Sequence, residues 1–252
     1  MKKKEKYKIL IRVTIALLII LSFYFLIQRK AEQVASEDVV QDGKKEDGQQ
    51  EKNQQGEEKV RIVIDVGHGG KDPGKVGING ALEKDINLQI ALRLKKFLEE
   101  EDVEVVLTRE EDIGLYDENA SNKKVQDMKR RVALIEETDP LLTISIHQNS
   151  YHEENVHGAQ TFYYAGSEKG KELAEIIQRS LLNSADPENT RSAKANDSYY
   201  LLKKTSTPIV IVECGFLSNS EEAQKLSSDY YQEKLAWAIH LGVLQYINSQ
   251  NG

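Results

Sequence analysis

The sequence predicts an α/β fold built around one central sheet. Apolar segments of strand length alternate with segments in which apolar residues recur at helical spacing. Several strand segments, such as PIVIV at Pro208–Val212, contain almost no polar residue, which is typical of central strands covered on both faces. The chain has 252 residues, 39% hydrophobic and 30% charged, which suits one globular domain with appendages.

The first half of the domain supplies two strands and two helices. Val60–Val66 and Val103–Thr108 are apolar runs of strand length. Lys84–Glu100 and Val125–Glu137 have helical spacing. The residues expected on their buried faces are Ile86, Ile90, Leu94, Phe97 and Leu98 in the first helix, and Val125, Met128, Val132 and Ile135 in the second.

The second half continues the alternation and shows no internal repeat. Strands are predicted at Leu141–His147, Ala159–Tyr164, Tyr199–Lys203 and Pro208–Glu213. Helices are predicted at Glu168–Asn183 and Tyr230–Asn248.

The N-terminus, residues 1–30, predicts a membrane anchor or a signal sequence. Six basic residues in MKKKEKYKILIR precede the apolar run Val13–Ile27, which Ile9–Ile11 extend toward spanning length. A cleaved signal peptide has a similar layout but needs small residues at its cleavage site, and Ala31 and Ala35 are poor candidates. An uncleaved anchor is therefore favoured, and either alternative places the domain outside the cytoplasm.

Residues 31–59 predict a disordered linker between this segment and a domain that spans residues 60–252. The linker is rich in Gln and Glu and nearly free of large apolar residues, so it cannot bury enough surface to offset its ordering entropy. The domain carries 22 basic and 31 acidic residues, a net charge of −9, so no nucleic-acid partner is expected, because the nucleic-acid backbone requires a cationic surface. Its one cysteine, Cys214, excludes an intramolecular disulfide.

The segment VIDVGHGGKDPG, which follows the first strand, is not a nucleotide-binding loop. Asp72 stands where a dinucleotide fingerprint starting at Gly67 needs glycine, and where a P-loop needs serine or threonine after Lys71.

Three apolar strands finish at or just before a titratable residue: His68, His147 and Glu213. In open α/β sheets, ligands bind beyond the carboxyl ends of the strands, so these side chains are expected to converge. Glu83 begins the helix that follows His68 and belongs to the same end of the sheet. Two histidines and a carboxylate, with one position open for water, form a catalytic zinc arrangement. Glu213 lies between apolar segments, which would raise its pKa toward the range of a general acid–base.

Three of these four residues also have a structural interpretation, whereas Glu213 is harder to explain in that way. His68 could cap a turn, His147 could be a hydrogen-bonded core histidine, and Glu83 could be a first-turn charge favoured by the helix macrodipole. A single site nevertheless explains all four polar residues together.

Two other features resemble functional motifs but are not interpreted as part of the site. HEENVH, from His152 to His157, resembles HExxH but spaces its histidines five apart, so they diverge on a helix and indicate a solvated loop. Cys214 is interpreted as a small buried hydrophobe and not as a nucleophile.

Six segments in order resemble the zinc-dependent N-acetylmuramoyl-L-alanine amidases of bacterial cell walls, the amidase 3 family. They are IVIDVGHGGKDPG, LEKDINLQIALRL, VVLTREED, MKRRVALI, TISIHQNS and IVECGFLSN. The resemblance spans roughly residues 60–246 and is greatest to the germination-specific members that act on spore cortex. It implies a mixed sheet of about six strands flanked by helices.

The resemblance also implies the chemistry. It assigns one zinc ion to His68, Glu83 and His147, and catalysis to Glu213. Arg131 matches a structural arginine, and Arg191 matches a basic position that contacts substrate. The implied reaction is hydrolysis of the amide between N-acetylmuramic acid and L-alanine in peptidoglycan.

The subgroup resemblance implies a setting as well. A polysaccharide deacetylase would act on the freed muramic acid to make muramic δ-lactam. The implied location is the cell envelope and, in a spore-former, the space between the spore membranes. Two alternatives remain open at this point: a zinc carboxypeptidase-like hydrolase acting on wall peptides, and an inactive cell-wall binding module.

Overall fold

A six-stranded mixed sheet forms the centre of the computed structural model, which describes residues 59–250. The strands are β1 Arg61–Val66, β2 Glu104–Leu107, β3 Leu142–Asn149, β4 Gln160–Tyr163, β5 Lys194–Ala195 and β6 Ile209–Phe216. The helices are α1 Glu83–Glu99, α2 Lys123–Thr138, α3 Glu168–Ser184, α4 Tyr200–Lys204, α5 Ser220–Leu226 and α6 Asp229–Gln250. The predicted α/β fold, with a mixed sheet of about six strands flanked by helices, is confirmed.

The predicted N-terminal anchor and nearly all of the predicted linker lie outside the described residues. Within residues 59–250, no helix combines the length and the apolar character needed to span a membrane.

The sheet has the strand order β2-β1-β3-β6-β4-β5. β2, β1, β3 and β6 are mutually parallel, whereas β4 runs antiparallel to β6 and pairs in parallel with β5. The three adjacent strands β1, β3 and β6 therefore end at the same edge of the sheet. They are the three strands on which the sequence places its polar residues.

Apolar side chains cover both faces of the sheet, as the unbroken apolar strands predict. Ile62, Ile64 and Val66 of β1 pack in a large core with α1, α3 and α6. Val63, between them in sequence, points to the other face and packs in a smaller core with residues of α2 and α4.

Two predictions of local structure are wrong. Tyr199–Lys203 is not a strand, because Tyr200–Lys204 forms the short helix α4, which buries Leu201 and Leu202. Val125, expected on the buried face of α2, lies in the first turn of that helix and is 47% exposed. Met128, Val132 and Ile135 do pack inward from the same helix.

Helix α5 was not predicted, although the sequence carries a signal for it. The side chain of Asn219 caps the helix by accepting a hydrogen bond from the backbone N–H of Glu222. Asparagine followed three residues later by glutamate is a helix N-terminus signature.

Candidate metal and catalytic site

His68 follows β1 by two residues and has a backbone conformation that is uncommon for a residue with a side chain. Its φ is +62°, in the left-handed region. Its carbonyl oxygen accepts hydrogen bonds at 2.8 Å from both Arg109 Nε and Arg131 Nη2. Both arginine side chains are buried. These two guanidinium groups therefore hold the turn in the conformation that presents the imidazole.

Glu83, the first residue of α1, is held by backbone donors. Its Oε1 accepts a hydrogen bond from Gln148 N at 3.0 Å, and its Oε2 accepts one from Lys75 N at 2.7 Å. The side chain is 2% exposed. Burial alone would raise the pKa of Glu83, but hydrogen bonds to His147 and His68 outweigh that effect and hold the pKa well below its usual range. Glu83 is therefore an ionised, immobile carboxylate.

His68 and His147 converge on one oxygen of Glu83. His68 Nε2 lies 3.1 Å from Glu83 Oε1, and His147 Nδ1 lies 3.0 Å from the same atom. The imidazole rings are 5.0 Å apart at 79°. Each histidine side chain is about one-fifth exposed, whereas Glu83 is enclosed. The structure thus brings together three residues that the sequence separates by 15 and 64 positions.

The three side chains fit a metal ion. One ligand atom from each residue lies within 4.8 Å of the other two. Imidazole nitrogen and carboxylate oxygen are ligand types that zinc accepts, and three protein ligands leave a fourth position open. No other group of three or more His, Cys, Asp or Glu side chains within residues 59–250 meets the same criterion.

Asp72 orients the His68 ring through Nδ1, the ring nitrogen that does not face Glu83. Its Oδ2 lies 3.0 Å from His68 Nδ1, and its Oδ1 accepts a hydrogen bond from Gly74 N at 3.1 Å. A carboxylate at one ring nitrogen fixes the tautomer and leaves the other nitrogen, here Nε2, available as a ligand. The sequence alone does not reveal this role of Asp72, because its proximity to His68 depends on the conformation of the turn.

Two glycines make room for the ligands. A Cβ at Gly67 would lie 2.5 Å from the His147 ring. A Cβ at Gly74 would lie 2.5 Å from Glu83 Oε2 and 2.7 Å from His68 Cδ2, and the φ of +68° at this residue already favours glycine.

Glu213 lies on β6 directly beside His147, its partner in the β3–β6 register. Its Oε1 accepts a hydrogen bond from the Tyr199 hydroxyl at 3.1 Å. Its Oε2 is buried and has no hydrogen-bond partner within the described residues. Burial raises the pKa of Glu213, and the favourable charge of His147 and the bond from Tyr199 only partly offset this effect. The register of β3 and β6 shifts just after this pair, a β-bulge of the kind found next to active sites.

A cleft of about 390 Å³ opens in front of these groups. It is lined by His68, His147 and Glu213 and also by Tyr116, Met128 and Tyr199. An ion on the three ligands would therefore be accessible to a substrate, with Glu213 at its side.

Arg191 lies apart from this convergence, whereas Arg131 lines the cleft. Arg191 does not line the cleft; its guanidinium stacks over Phe216 at 4.7 Å and its Nε donates to the His157 carbonyl. Arg131 is buried, binds Asp65 Oδ1 at 2.7 Å and supports the carbonyl of His68, an arrangement that positions the turn.

The HEENVH segment and Cys214 lie outside the site, as the sequence predicts. His152 and His157 lie in an exposed loop without regular secondary structure. Cys214 is buried, and burial raises the pKa of its thiol. Neither feature contributes to the cleft.

Comparisons with known proteins agree on one family. Residues 62–245 match the family described as N-acetylmuramoyl-L-alanine amidase, amidase 3. The germination-specific N-acetylmuramoyl-L-alanine amidase of Bacillus subtilis strain 168 is 38% identical over 192 residues, which cover 75% of this chain and 80% of that protein.

Solved structures extend the similarity to the fold. The CwlD amidase from Clostridioides difficile, in complex with the GerS lipoprotein, matches with a TM-score of 0.74 at 40% identity, over 75% of this chain and 99% of that one. The N-acetylmuramoyl-L-alanine amidase AmiC2 of Nostoc punctiforme matches with a TM-score of 0.66 at 35% identity, over 75% of this chain and 97% of that one.

Proposed function

The chain belongs to the N-acetylmuramoyl-L-alanine amidase family, and we propose that it cleaves peptidoglycan with one zinc ion held by His68, Glu83 and His147. The bond cleaved joins the lactyl carboxyl of N-acetylmuramic acid to the amino group of L-alanine. The observation that carries the proposal is the convergence of His68 Nε2 and His147 Nδ1 on Glu83 Oε1, beside a buried carboxylate at the edge of an open cleft.

A bound zinc ion would supply Lewis-acid chemistry, because it polarises a carbonyl and lowers the pKa of water. The backbone N–H groups of Lys75 and Gln148 hold Glu83 in place, and Asp72 holds His68. These contacts fix the ligand geometry before substrate arrives, which is how a site avoids reorganisation during the reaction.

Glu213 transfers the proton. Its carboxylate accepts a proton from the water that attacks the lactyl carbonyl carbon. It then gives this proton to the nitrogen of L-alanine as the C–N bond breaks. The products are a muramic acid carboxylate and a stem peptide with a free amino group. A pKa raised by burial favours this exchange, because the proton must be both accepted and returned near neutral pH.

The biological setting we propose is the maturation of spore cortex. The similarity to a germination-specific amidase supports this setting, and it supports a location in the cell envelope. There, a polysaccharide deacetylase would act on the freed muramic acid, which would become muramic δ-lactam. The basic and apolar N-terminus, residues 1–30, would anchor the chain to the membrane. Similarity to a relative solved with a lipoprotein supports a lipoprotein partner for this chain as well.

Mass spectrometry of digested peptidoglycan tests the proposal. The full-length chain, loaded with zinc, is incubated separately with cortex and with vegetative peptidoglycan. We expect whole stem peptides with free L-alanine amino groups, and none after zinc is removed by a chelator. Release of single amino acids would instead indicate a carboxypeptidase, and undiminished release without zinc would contradict the metal assignment.

A further inference from the structure

We propose that Tyr199 is a positioning residue that orients the Glu213 carboxylate for proton transfer. The inference rests on the proposed function, because it takes Glu213 as the proton-transferring group. The sequence predicts a strand at Tyr199–Lys203 and carries no signal for such a role. In the structure it lines the cleft immediately before α4.

The hydrogen bond separates the roles of the two carboxylate oxygens. The Tyr199 hydroxyl donates to Oε1 at 3.1 Å, whereas Oε2 is buried and without a partner in residues 59–250. Burial, and then the negative charge of Glu213, raise the pKa of Tyr199, so its hydroxyl keeps its proton and remains a donor. Oε2 is thus the oxygen left to exchange a proton with water.

Two contacts hold the tyrosine itself. Its ring packs edge-on against Phe162 of β4, with centroids 5.6 Å apart at 88°. Its backbone N–H donates to Asn196 Oδ1 at 3.0 Å, and the backbone N–H of Asn196 donates to the Tyr163 carbonyl at 2.8 Å. Tyr199 is therefore fixed to the sheet from both its ring and its backbone.

Position matters at Glu213 because a carboxylate can rotate about its terminal torsion, which has broad energy wells. Proton transfer requires the reacting oxygen to lie within hydrogen-bonding distance of the attacking water. A donor on Oε1 restricts the rotation and keeps Oε2 available. Loss of this donor should slow the chemical step without weakening the binding of substrate.

Tyr199→Phe tests the inference, because it removes the hydroxyl and keeps the ring that packs on Phe162. With soluble muropeptides as substrate, we expect kcat to fall about 10- to 100-fold, as for loss of a hydrogen bond to a charged group. We expect KM and zinc content to stay unchanged and the variant to remain folded at the assay temperature. Tyr246→Phe is the matched control, since Tyr246 is buried outside the cleft and its hydroxyl makes no hydrogen bond within residues 59–250. We expect it to keep the wild-type kcat.

A double-variant cycle asks whether Tyr199 acts through Glu213. In a Glu213→Gln chain, Tyr199→Phe should reduce the residual rate no further. An additive loss in the double variant would contradict the inference. A kcat for Tyr199→Phe within twofold of wild type would contradict it as well. So would a loss of kcat that merely follows a loss of zinc or of folded protein. If Glu213→Gln itself keeps the wild-type rate, the proposed mechanism fails first, so the two failures are distinguishable.

Discussion

His147 Nδ1 lies 3.0 Å from Glu83 Oε1, although 64 residues separate them in sequence. His147 is carried by the central strand β3, and Glu83 begins a helix on the face of the sheet covered by the larger core. His68 reaches the same oxygen from the turn after β1. Ligands on three separate elements make the geometry dependent on close packing around them, and this dependence can be tested.

Gly74→Ala should weaken zinc binding. The added methyl group would lie 2.5 Å from Glu83 Oε2 and 2.7 Å from His68 Cδ2, so two ligands must shift. Gly80→Ala is the matched control, because Gly80 also has a positive φ, +83°, but a Cβ there would contact nothing within 4 Å. Competition with a chromogenic chelator should show a lower zinc affinity for Gly74→Ala alone. Equal effects of the two substitutions would show that backbone strain, and not contact with the ligands, is responsible.

Asp72→Ala should lower zinc affinity about 10- to 100-fold, because it removes the carboxylate that orients His68. The same chelator competition measures the effect. Asp117→Ala serves as the control: its carboxylate pairs with Arg130 on the surface and should not influence zinc. Wild-type affinity in Asp72→Ala would remove Asp72 from the metal site.

Glu213→Gln should keep zinc and lose turnover. The amide has nearly the same shape as the carboxylate but cannot accept and return the proton, and general acid–base catalysis contributes about 10²- to 10⁴-fold. Rates on muropeptides and zinc content, measured on the same preparation, separate the two effects. A rate close to wild type would exclude Glu213 from proton transfer.

Asp65→Asn should destabilise the fold in a pH-dependent way. Burial alone would raise the pKa of Asp65, but Arg131 and Ser145 outweigh it and lower the pKa below its ordinary value. The stabilisation that ionised Asp65 gives the fold is therefore complete above the unfolded pKa of this residue, about 3.9. It is lost as pH falls through the lower pKa that Asp65 has in the folded chain. At pH 7 the variant leaves Arg131 buried without this partner, which should reduce the free energy of unfolding by about 3–5 kcal/mol.

Urea unfolding of both chains at pH 7 and near pH 3 measures this effect. The difference between wild type and Asp65→Asn should narrow at the lower pH, because below about pH 3.9 Asp65 takes up a proton in the unfolded wild-type chain while it stays ionised in the folded one. An equal difference at both pH values would show that packing, and not the charge of Asp65, accounts for the loss.

The sequence predicts the central sheet and the convergence of four polar residues, because parallel apolar strands constrain where their carboxyl ends meet. It misses what depends on the path of a turn. Asp72 reaches His68 only because His68 adopts a positive φ. The sequence predicts a strand at Tyr199–Lys203, and the helix found at Tyr200–Lys204 has five residues, too few to show helical periodicity.

The choice between related hydrolases needed more than the residue types at the site. Two histidines and a carboxylate suit a carboxypeptidase as well as an amidase. The family match over residues 62–245 favours the amidase over the carboxypeptidase-like hydrolase. The roles of the individual side chains remain predictions.

The most direct test of the metal site is zinc content by elemental analysis in four full-length chains: wild type, His68→Ala, His147→Ala and His157→Ala. We expect about one zinc per chain in the wild type and in His157→Ala, whose histidine lies in the exposed loop, and far less than one in the other two. Undiminished zinc in His68→Ala and His147→Ala would contradict the assignment of the ligands.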